Sequence, residues 1–222
     1  MDAAAKLYDD KEQGYFAAAR LDLLALLPQG GGLRLLELGA GNGATLRAAK
    51  ALGLASYTAG IDLVEPSPPA PGEPEIDLFL SGNVEGGEID LPAGPFDAVL
   101  CADVLEHLVD PWRVVARLAT ALRPGGVFLS SVPNVRNHRA LRAFVLGGDF
   151  RYAEAGLLDR SHLRFFCRKN VRELFEGAGL TVETMAETMG GYGLRHKALD
   201  RLSFGLLHDF FVFQFLTRAR KP

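Results

Sequence analysis

The chain has 222 residues, of which 48% are hydrophobic, and a formal net charge of -3 at pH 7. This length is sufficient for one domain with a full core, and the slight negative charge disfavours binding to long nucleic acid. Two cysteines, Cys101 and Cys167, are too few for a disulfide framework and predict free thiols. Because no apolar run reaches the ~18 residues of a membrane span and the polar N-terminus is not typical of a signal peptide, we expect a cytoplasmic protein without a membrane span.

Apolar segments alternate with helical patterns along most of the chain, which is typical of an α/β sheet with helices on both faces. The first predicted element is an amphipathic helix over 15–27, followed by three glycines. A strand over 33–38, a helix over 44–52 and a second strand over 57–61 come next. The proline-rich segment 64–75 predicts a loop at a point where a helix would be expected.

Strands are predicted over 76–80 and 96–101. The pair Asp110 and Pro111 is typical of a helix start, and this helix extends to residue 122. Later elements are a strand over 127–132, a helix over 169–178 and strands over 181–186 and 211–217.

The expected organisation is a single domain over 1–222. Within it, we expect residues 1–32 to form an N-terminal helical lid and residues 134–168 to form a basic, aromatic, helical insert. We expect the insert to lie on the side where a second substrate, the acceptor, would bind. An insert after the fifth strand lies over the carboxyl ends of the strands, where open α/β sheets bind ligands. The apolar run 204–216 is interrupted by polar residues, so we interpret it as a buried strand.

A glycine-rich turn, Gly39-Ala40-Gly41-Asn42-Gly43-Ala44, joins the first predicted strand to the next helix. Such a turn places unpaired backbone N–H groups beside a ligand, and it matches a permissive dinucleotide fingerprint. By itself, however, the pattern is also compatible with a tight turn that binds nothing.

Three further residues narrow the choice of ligand. Glu37, two residues before the turn, repels a pyrophosphate but suits the ammonium group of a charged ligand. Asp62, at the end of the second strand, can accept hydrogen bonds from both hydroxyls of a ribose. Asn83, after the third strand, can pair with an adenine edge. Ribose, adenine and a cationic amino-acid group together describe S-adenosylmethionine.

At this point the sequence resembles the class I S-adenosylmethionine-dependent methyltransferases. In order along the chain, the matching stretches are ELGAGNG, GID, GNVE, FDAVLCADVLEHL and LRPGGVFLSSVPN. The resemblance covers about residues 15–216 and implies a Rossmann-like, seven-stranded, mostly parallel sheet with the last strand antiparallel and helices on both faces. Asn83 stands where an aspartate is more usual. A nicotinamide-dependent oxidoreductase, the alternative enzyme class, predicts neither the EHL stretch nor the LRPGG turn.

The resemblance implies a set of residues in contact with the cofactor. They are Glu37, Gly39, Ala40, Gly41, Asn42, Asp62, Leu63, Asn83, Val84 and Cys101.

The stretch from SVPN to LDRSHLRFFCRKN is similar to a bacterial subgroup associated with sugar, glycan and natural-product pathways. This similarity implies a small-molecule or sugar-linked acceptor. Methylation of a hydroxyl needs a general base, for which His162 and His107 are candidates, with Asp159 orienting or replacing them. The alternatives are an N-methyltransferase and a cofactor-binding subunit without turnover, although a silent subunit would need none of these ionisable groups. The aromatic C-terminal strand is compatible with a homodimer.

A divalent metal is a further hypothesis. Asp103, Glu106 and His107 have the spacing of one helical face, and His162 adds a second imidazole to a set that suits Mg²⁺, Mn²⁺, Fe²⁺ or Zn²⁺. The stretch resembles the ExxEH motif of small-RNA 2′-O-methyltransferases, and a related motif occurs in ubiquinone-pathway O-methyltransferases. Asp103 stands in place of the first glutamate. Alternatively, Asp103 caps the helix, Glu106 is solvated, and one histidine acts alone as base.

Overall fold

A computed structural model describes residues 19–66, 68–87, 89–189 and 193–222. Seven strands form one sheet in the order β3-β2-β1-β4-β5-β7-β6. The pairs among β3, β2, β1, β4 and β5 are parallel, and β7 is antiparallel to both β5 and β6. The predicted Rossmann-like sheet with an antiparallel last strand is therefore confirmed. The strands are β1 (Leu33–Leu38), β2 (Ala55–Asp62), β3 (Leu78–Ser81), β4 (Phe96–Ala102), β5 (Leu122–Pro133), β6 (Thr181–Thr188) and β7 (Gln214–Arg220).

Helices connect most of these strands, and a 3₁₀ turn at Leu105–His107 follows β4. Asp110 caps the helix after this turn, because its carboxylate accepts the backbone N–H of Arg113 at 3.1 Å. The helices are α1 (Leu21–Leu24), α2 (Ala44–Ala51), α3 (Pro111–Ala121), α4 (His138–Gly147), α5 (Arg168–Gly177), α6 (Leu194–Leu202) and α7 (His208–Phe211).

The proline-rich connection between β2 and β3 contains no helix in its described residues, as the sequence predicted. The predicted N-terminal helix is shorter than expected within the described residues, where α1 spans four residues. Its first part, including Tyr15 and Phe16, lies outside the described residues.

The C-terminal apolar run is only partly the buried strand that the sequence predicted: the strand expected over 211–217 is found as β7, Gln214–Arg220, but the first part of the run is not a strand. Phe204 is 95% exposed, and α7 occupies the middle of the run. Strand pairing with β5 begins only where Gln214 lies opposite Pro133. Apolar composition by itself does not distinguish a short helix from a strand, and here tertiary contacts decide. The helix α6, just before this run, was not predicted.

The hydrophobic core lies on both faces of the sheet. On one face, Phe128 of β5 contacts Phe175 of α5 with ring centroids 5.2 Å apart. On the other face, Leu23 of α1 and Leu46 of α2 are fully buried against the sheet. The described part of the N-terminal region is thus packed onto the sheet beside the glycine turn.

Among the described residues, no helix is long and apolar enough to cross a membrane. Both cysteines are free thiols, as predicted, and Cys101 is buried in β4.

We expect Phe128→Ala to lower the free energy of unfolding by about 3–5 kcal/mol, because it leaves a cavity in the packed face of β5. Phe204→Ala is the matched control: this side chain is 95% exposed, so its loss is expected to change stability by less than about 0.5 kcal/mol. Urea denaturation measures both variants. Equal losses of stability in the two variants would contradict the burial of Phe128 and the exposure of Phe204.

Candidate cofactor and acceptor site

The glycine turn between β1 and α2 is held against β2 and opens toward solvent. The backbone N–H groups of Gly39 and Ala40 donate to the carbonyl of Ile61 at 2.8 and 3.2 Å. At Gly39, φ is +74° and an added Cβ would lie 2.1 Å from Val104, so a side chain is excluded on steric grounds. At Gly41, φ is +53° and an added Cβ would meet nothing within 4 Å. The turn therefore presents bare backbone to open space.

A cavity of about 340 Å³ lies beside this turn, along the carboxyl ends of β1, β2 and β3. Ligands in open α/β sheets bind at this edge. The cavity is lined by Leu38, Gly39, Ile61, Asp62, Leu63, Gly82, Asn83, Val84, Glu85, Val104, His107 and Leu108.

Asp62 and Asn83 both line this cavity, and hydrogen bonds fix their side chains. The carboxylate of Asp62 accepts the N–H of Gly41 at 2.7 Å and that of Val64 at 3.3 Å. The side-chain oxygen of Asn83 accepts the N–H of Glu85 at 2.8 Å. Since each carboxylate oxygen can accept a second hydrogen bond, Asp62 retains capacity for ligand hydroxyls.

A second cavity of about 210 Å³ lies on the other side of the glycine turn. Glu37 lines it and is only 2% exposed. Burial raises the pKa of Glu37 to about 8, although a hydrogen bond with Thr45 and the charge of Arg20 oppose this rise. Within the described residues, Oε2 of Glu37 has no hydrogen-bond partner. A buried carboxylate oxygen that lacks a hydrogen-bond partner favours a ligand that is cationic or donates a hydrogen bond.

Arg20 and Asp103 also line this second cavity. Asp103 directly follows β4 and has a φ of +53°. One of its carboxylate oxygens accepts from Arg20 and the other from Gln214 of β7. Asp103 therefore neither caps the 3₁₀ turn nor shares its face, so the predicted helical arrangement of the 103–107 stretch was wrong at this residue.

His107 lines the first cavity and contacts His162 from the insert. The two rings are in edge contact, with centroids 4.8 Å apart. Backbone N–H groups of Leu163 and Arg164 donate to the carbonyl of Glu106 at 2.8 and 2.9 Å, which fixes the insert against the 3₁₀ turn. The insert thus brings a second imidazole, that of His162, into contact with a residue that lines the cavity.

Backbone carbonyls orient both imidazoles. Nδ1 of His107 lies 3.2 Å from the carbonyl oxygen of Ser161, and Nδ1 of His162 lies 3.3 Å from that of Leu157. Nδ1 donates in each case, which directs the lone pair of each neutral ring to Nε2. Burial, and secondly the charge of His107, lower the pKa of His162, so its neutral form is favoured.

Asp159 is not hydrogen-bonded to either imidazole. Its carboxylate accepts the backbone N–H and the hydroxyl of Ser161 at 2.8 and 2.6 Å, and these bonds lower the pKa of Asp159. The predicted orienting role is thus taken by backbone carbonyls.

Glu106 completes a cluster with the two histidines. One potential ligand atom from each of Glu106, His107 and His162 lies within 4.8 Å of the others. Glu106 is 1% exposed, and within the described residues its Oε2 has no hydrogen-bond partner. Burial raises the pKa of Glu106 to about 8, so the predicted alternative of a solvated Glu106 was wrong. Asp103 does not belong to this cluster, because its carboxylate is bound to Arg20 and Gln214.

The remaining predicted cofactor residues lie in three settings. Leu63 and Val84 line the first cavity, and Ala40 and Asn42 line the second. Cys101 is fully buried in the core and does not line either of these cavities. Its contact with the cofactor stays a prediction.

Sequence reasoning missed three supporting residues. Thr45 accepts the N–H of Arg20 at 3.2 Å and is hydrogen-bonded to Glu37. The hydroxyl of Ser131 accepts from Arg20 at 2.8 Å. Gln214 could have been noticed in the sequence, because it is a polar residue in a largely apolar run. Nothing in the sequence marked Thr45 or Ser131 as supporting residues.

The fold and the two cavities define a Rossmann-like protein that binds a nucleoside cofactor at the carboxyl edge of its sheet. A family model described as a methyltransferase domain matches residues 8–185. The chain belongs to this family of S-adenosylmethionine-dependent methyltransferases, and S-adenosylmethionine is its cofactor.

Curated relatives include the ubiquinone biosynthesis O-methyltransferase of Aromatoleum aromaticum, 33% identical over 70% of this chain and 70% of that protein. The ubiquinone biosynthesis O-methyltransferase of Chromobacterium violaceum is 30% identical over 75% of this chain and 72% of that protein. These names do not confirm the expected subgroup of sugar, glycan and natural-product enzymes.

Solved structures show the same fold. A methyltransferase from Mesorhizobium loti superposes with a TM-score of 0.62 at 22% identity, over 90% of this chain and 96% of that one. Magnesium protoporphyrin IX methyltransferase from Synechocystis, solved with bound S-adenosylhomocysteine, gives a TM-score of 0.55 at 14% identity, over 96% of this chain and 81% of that one.

We expect Glu37→Gln to change the pH dependence of stability in the ligand-free protein. The pKa of Glu37 is near 4.5 when the chain is unfolded and about 8 when it is folded. The stabilisation by protonated Glu37 is therefore complete below pH 4.5 and is lost as the pH rises to 8. Glutamine does not ionise. The free energy of unfolding of the variant should therefore rise relative to that of wild type by at most about 1.4 kcal/mol per pH unit over this window.

Glu183→Gln is the control, because hydrogen bonds from Arg220 and then Arg218 lower the pKa of Glu183. Its stabilisation is present above the unfolded pKa near 4.5 and is lost as the pH falls below it, so this variant should instead lose stability relative to wild type as the pH rises toward 4.5. Thermal unfolding across the pH range measures both. A pH-independent difference for Glu37→Gln would contradict the raised pKa.

Proposed function

We propose that this protein transfers the methyl group of S-adenosylmethionine to a hydroxyl oxygen of a small-molecule acceptor. One observation carries the proposal: the paired imidazoles of His107 and His162 lie at the edge of the cavity that Asp62 and Asn83 line. A hydroxyl must lose its proton as it attacks a methyl group, and two oriented imidazoles can accept that proton.

The names of the relatives support oxygen as the methylated atom. Both reported relatives are O-methyltransferases of ubiquinone biosynthesis. We infer that hydroxylated intermediates of that pathway are the first acceptors to test and that sugar-linked hydroxyls, which the insert motif suggested, are the second. The cytoplasm is the proposed location.

The residues of both cavities fit the cofactor. Asp62 has acceptor capacity for the ribose hydroxyls, and Asn83 and Val84 border the place for adenine. Glu37 has a buried carboxylate oxygen without a partner among the described residues, which suits the cofactor ammonium group. When bound, S-adenosylmethionine supplies an electrophilic methyl group on a sulfonium. Positioning of the acceptor against that methyl group provides much of the rate.

His162 is the favoured general base. Its lowered pKa keeps the ring neutral near pH 7, and its Nδ1 contact with Leu157 leaves Nε2 as the proton acceptor. His107, which lines the cavity itself, is the second candidate. Asp159 contributes by fixing the Ser161 backbone, whose carbonyl oxygen contacts His107.

As an alternative to a free histidine base, we propose that Glu106, His107 and His162 hold a divalent metal ion, since an Nε2 atom that binds a metal cannot also accept a proton. The orphaned carboxylate oxygen of Glu106 and the two carbonyl-anchored imidazoles form a chemically suitable set of three ligands. Two imidazoles favour Mn²⁺, Fe²⁺ or Zn²⁺ over Mg²⁺, which prefers oxygen ligands. When bound, such an ion lowers the pKa of a coordinated hydroxyl.

Calorimetric titration with S-adenosylhomocysteine tests the cofactor site. We expect the wild type to bind and the double variant Glu37→Ala/Asp62→Ala to lose at least about 100-fold in affinity, because two charged hydrogen-bonding groups are removed. Asp90→Asn, a change at an exposed loop carboxylate, is the control and should bind like wild type. Unchanged affinity in the double variant would refute the assignment of these two residues.

Metal analysis and turnover assays test the acceptor side. Protein purified without chelator should contain a divalent ion, EDTA should abolish methyl transfer, and Mn²⁺ or Zn²⁺ should restore it. His162→Gln should lose both metal and turnover while still binding S-adenosylhomocysteine. Mass spectrometry and NMR of the product distinguish oxygen from nitrogen methylation.

Full activity in EDTA, with no metal bound, would exclude the metal site and leave His162 as a metal-free base. Cofactor binding without turnover on either acceptor panel would instead favour a non-catalytic subunit.

A further inference from the structure

We propose that Asp103 is a positioning residue for the cofactor, which acts through Arg20, rather than a metal ligand. This inference rests on the proposed methyl-transfer function, and it assigns Gln214 and Ser131 as supports of the same contact. It departs from the ExxEH resemblance, in which position 103 would belong to the metal set.

The carboxylate of Asp103 is occupied at both oxygens. Oδ2 accepts from Nη1 of Arg20, and Oδ1 accepts from the side-chain amide of Gln214. The backbone N–H of Asp103 donates to the hydroxyl and the carbonyl of Ser131 at 3.0 and 3.2 Å. A non-glycine residue at a φ of +53° is held there by its surroundings. These contacts commit both carboxylate oxygens to Arg20 and Gln214, and Asp103 is not part of the cluster that Glu106 forms with the histidine pair.

Arg20 is in turn fixed from several sides. Its Nε and Nη2 donate to Asp22 at 3.0 and 2.8 Å, and its Nη1 also donates to Ser131 at 2.8 Å. Its backbone N–H donates to Thr45, the residue that is hydrogen-bonded to Glu37. Arg20 thus ties the N-terminal region to the end of β4 and to β5 through its side chain, and to the helix after the glycine turn through its backbone N–H.

The position of this guanidinium matters because of the cavity that it borders. Among the described residues lining the 210 Å³ cavity, Arg20 is the one cation, and Glu37 and Asp103 are the carboxylates. The cofactor carries a carboxylate beside its ammonium group, and that carboxylate needs a cation where Glu37 receives the ammonium. Asp103 therefore acts by holding Arg20 in place, and the last strand contributes through Gln214.

The metal set is complete without Asp103. Ligand atoms of Glu106, His107 and His162 lie within 4.8 Å of one another, whereas the side chain of Asp103 belongs to the Arg20 network. The two carboxylates of the DVLEH stretch thus have separate tasks: Asp103 faces the cofactor end and Glu106 faces the histidines.

Calorimetry with S-adenosylhomocysteine and Mn²⁺ titration followed by electron paramagnetic resonance test the assignment on the full chain. Asp103→Asn should weaken S-adenosylhomocysteine binding by about tenfold or more and leave Mn²⁺ affinity within about twofold. His162→Gln should show the reverse pattern. Asp90→Asn is the matched control for the chemistry of the substitution. Gln214→Ala, which removes one neutral hydrogen bond, should cause a smaller loss of cofactor affinity and keeps the test valid if Asp103→Asn does not fold.

A double-mutant cycle shows whether Asp103 acts through Arg20. In an Arg20→Ala background, Asp103→Asn should cause no further loss of cofactor affinity, since the group that it holds is gone. Additive losses, a loss of Mn²⁺ binding in Asp103→Asn, or unchanged cofactor affinity in both Asp103→Asn and Gln214→Ala would each overturn the inference. If wild type itself fails to bind S-adenosylhomocysteine, the proposed function fails as well.

Discussion

The parallel pairing of β1 with β2 and β4 is the constraint on which the site depends. It places Glu37 beside Gly60 and Leu100 and brings the ends of three strands to one edge of the sheet. The glycine turn, Asp62 and Asp103 are distant in sequence, and all three lie at this edge of the sheet. Because the backbone hydrogen bonds of the sheet fix this register, a few side chains suffice to shape both cavities.

The carboxyl edge of the sheet also concentrates acidic groups in a poorly solvated environment. Glu37 and Glu106 are both nearly fully buried, and burial raises the pKa of each to about 8. Each keeps one oxygen without a hydrogen-bond partner among the described residues. Such groups are costly in the ligand-free fold, and their positions coincide with the two places where the proposed chemistry needs a cation. Stability and function therefore oppose each other at this edge.

The insert after β5 contributes to the site through backbone contacts. Glu106 receives two N–H groups from the segment after His162, and carbonyl oxygens of Leu157 and Ser161 contact the imidazoles. Backbone carbonyls of the insert therefore set the orientation of the histidine pair.

The sequence by itself determined the α/β class, the succession of strands and helices in the central motifs and the glycine turn, and together with the family resemblance it indicated the cofactor. Those features follow from local rules: apolar periodicity, glycine at positive φ, and acids at strand ends. It also indicated Glu106, His107 and His162, because their residue types are the ones that bases and metal sites use.

Only the tertiary structure decided which of these residues belong together and which have separate contacts. Asp103 and Glu106 are three residues apart, yet the left-handed backbone at Asp103 and its contacts with Arg20 and Gln214 place Asp103 in the smaller cavity, whereas Glu106 lies beside the two histidines. Gln214 is distant in sequence from Asp103, so local sequence patterns do not predict the contact between them. The first part of the C-terminal run was misassigned for the same reason: whether an apolar segment pairs as a strand or forms a short helix depends on which neighbours the completed sheet offers it.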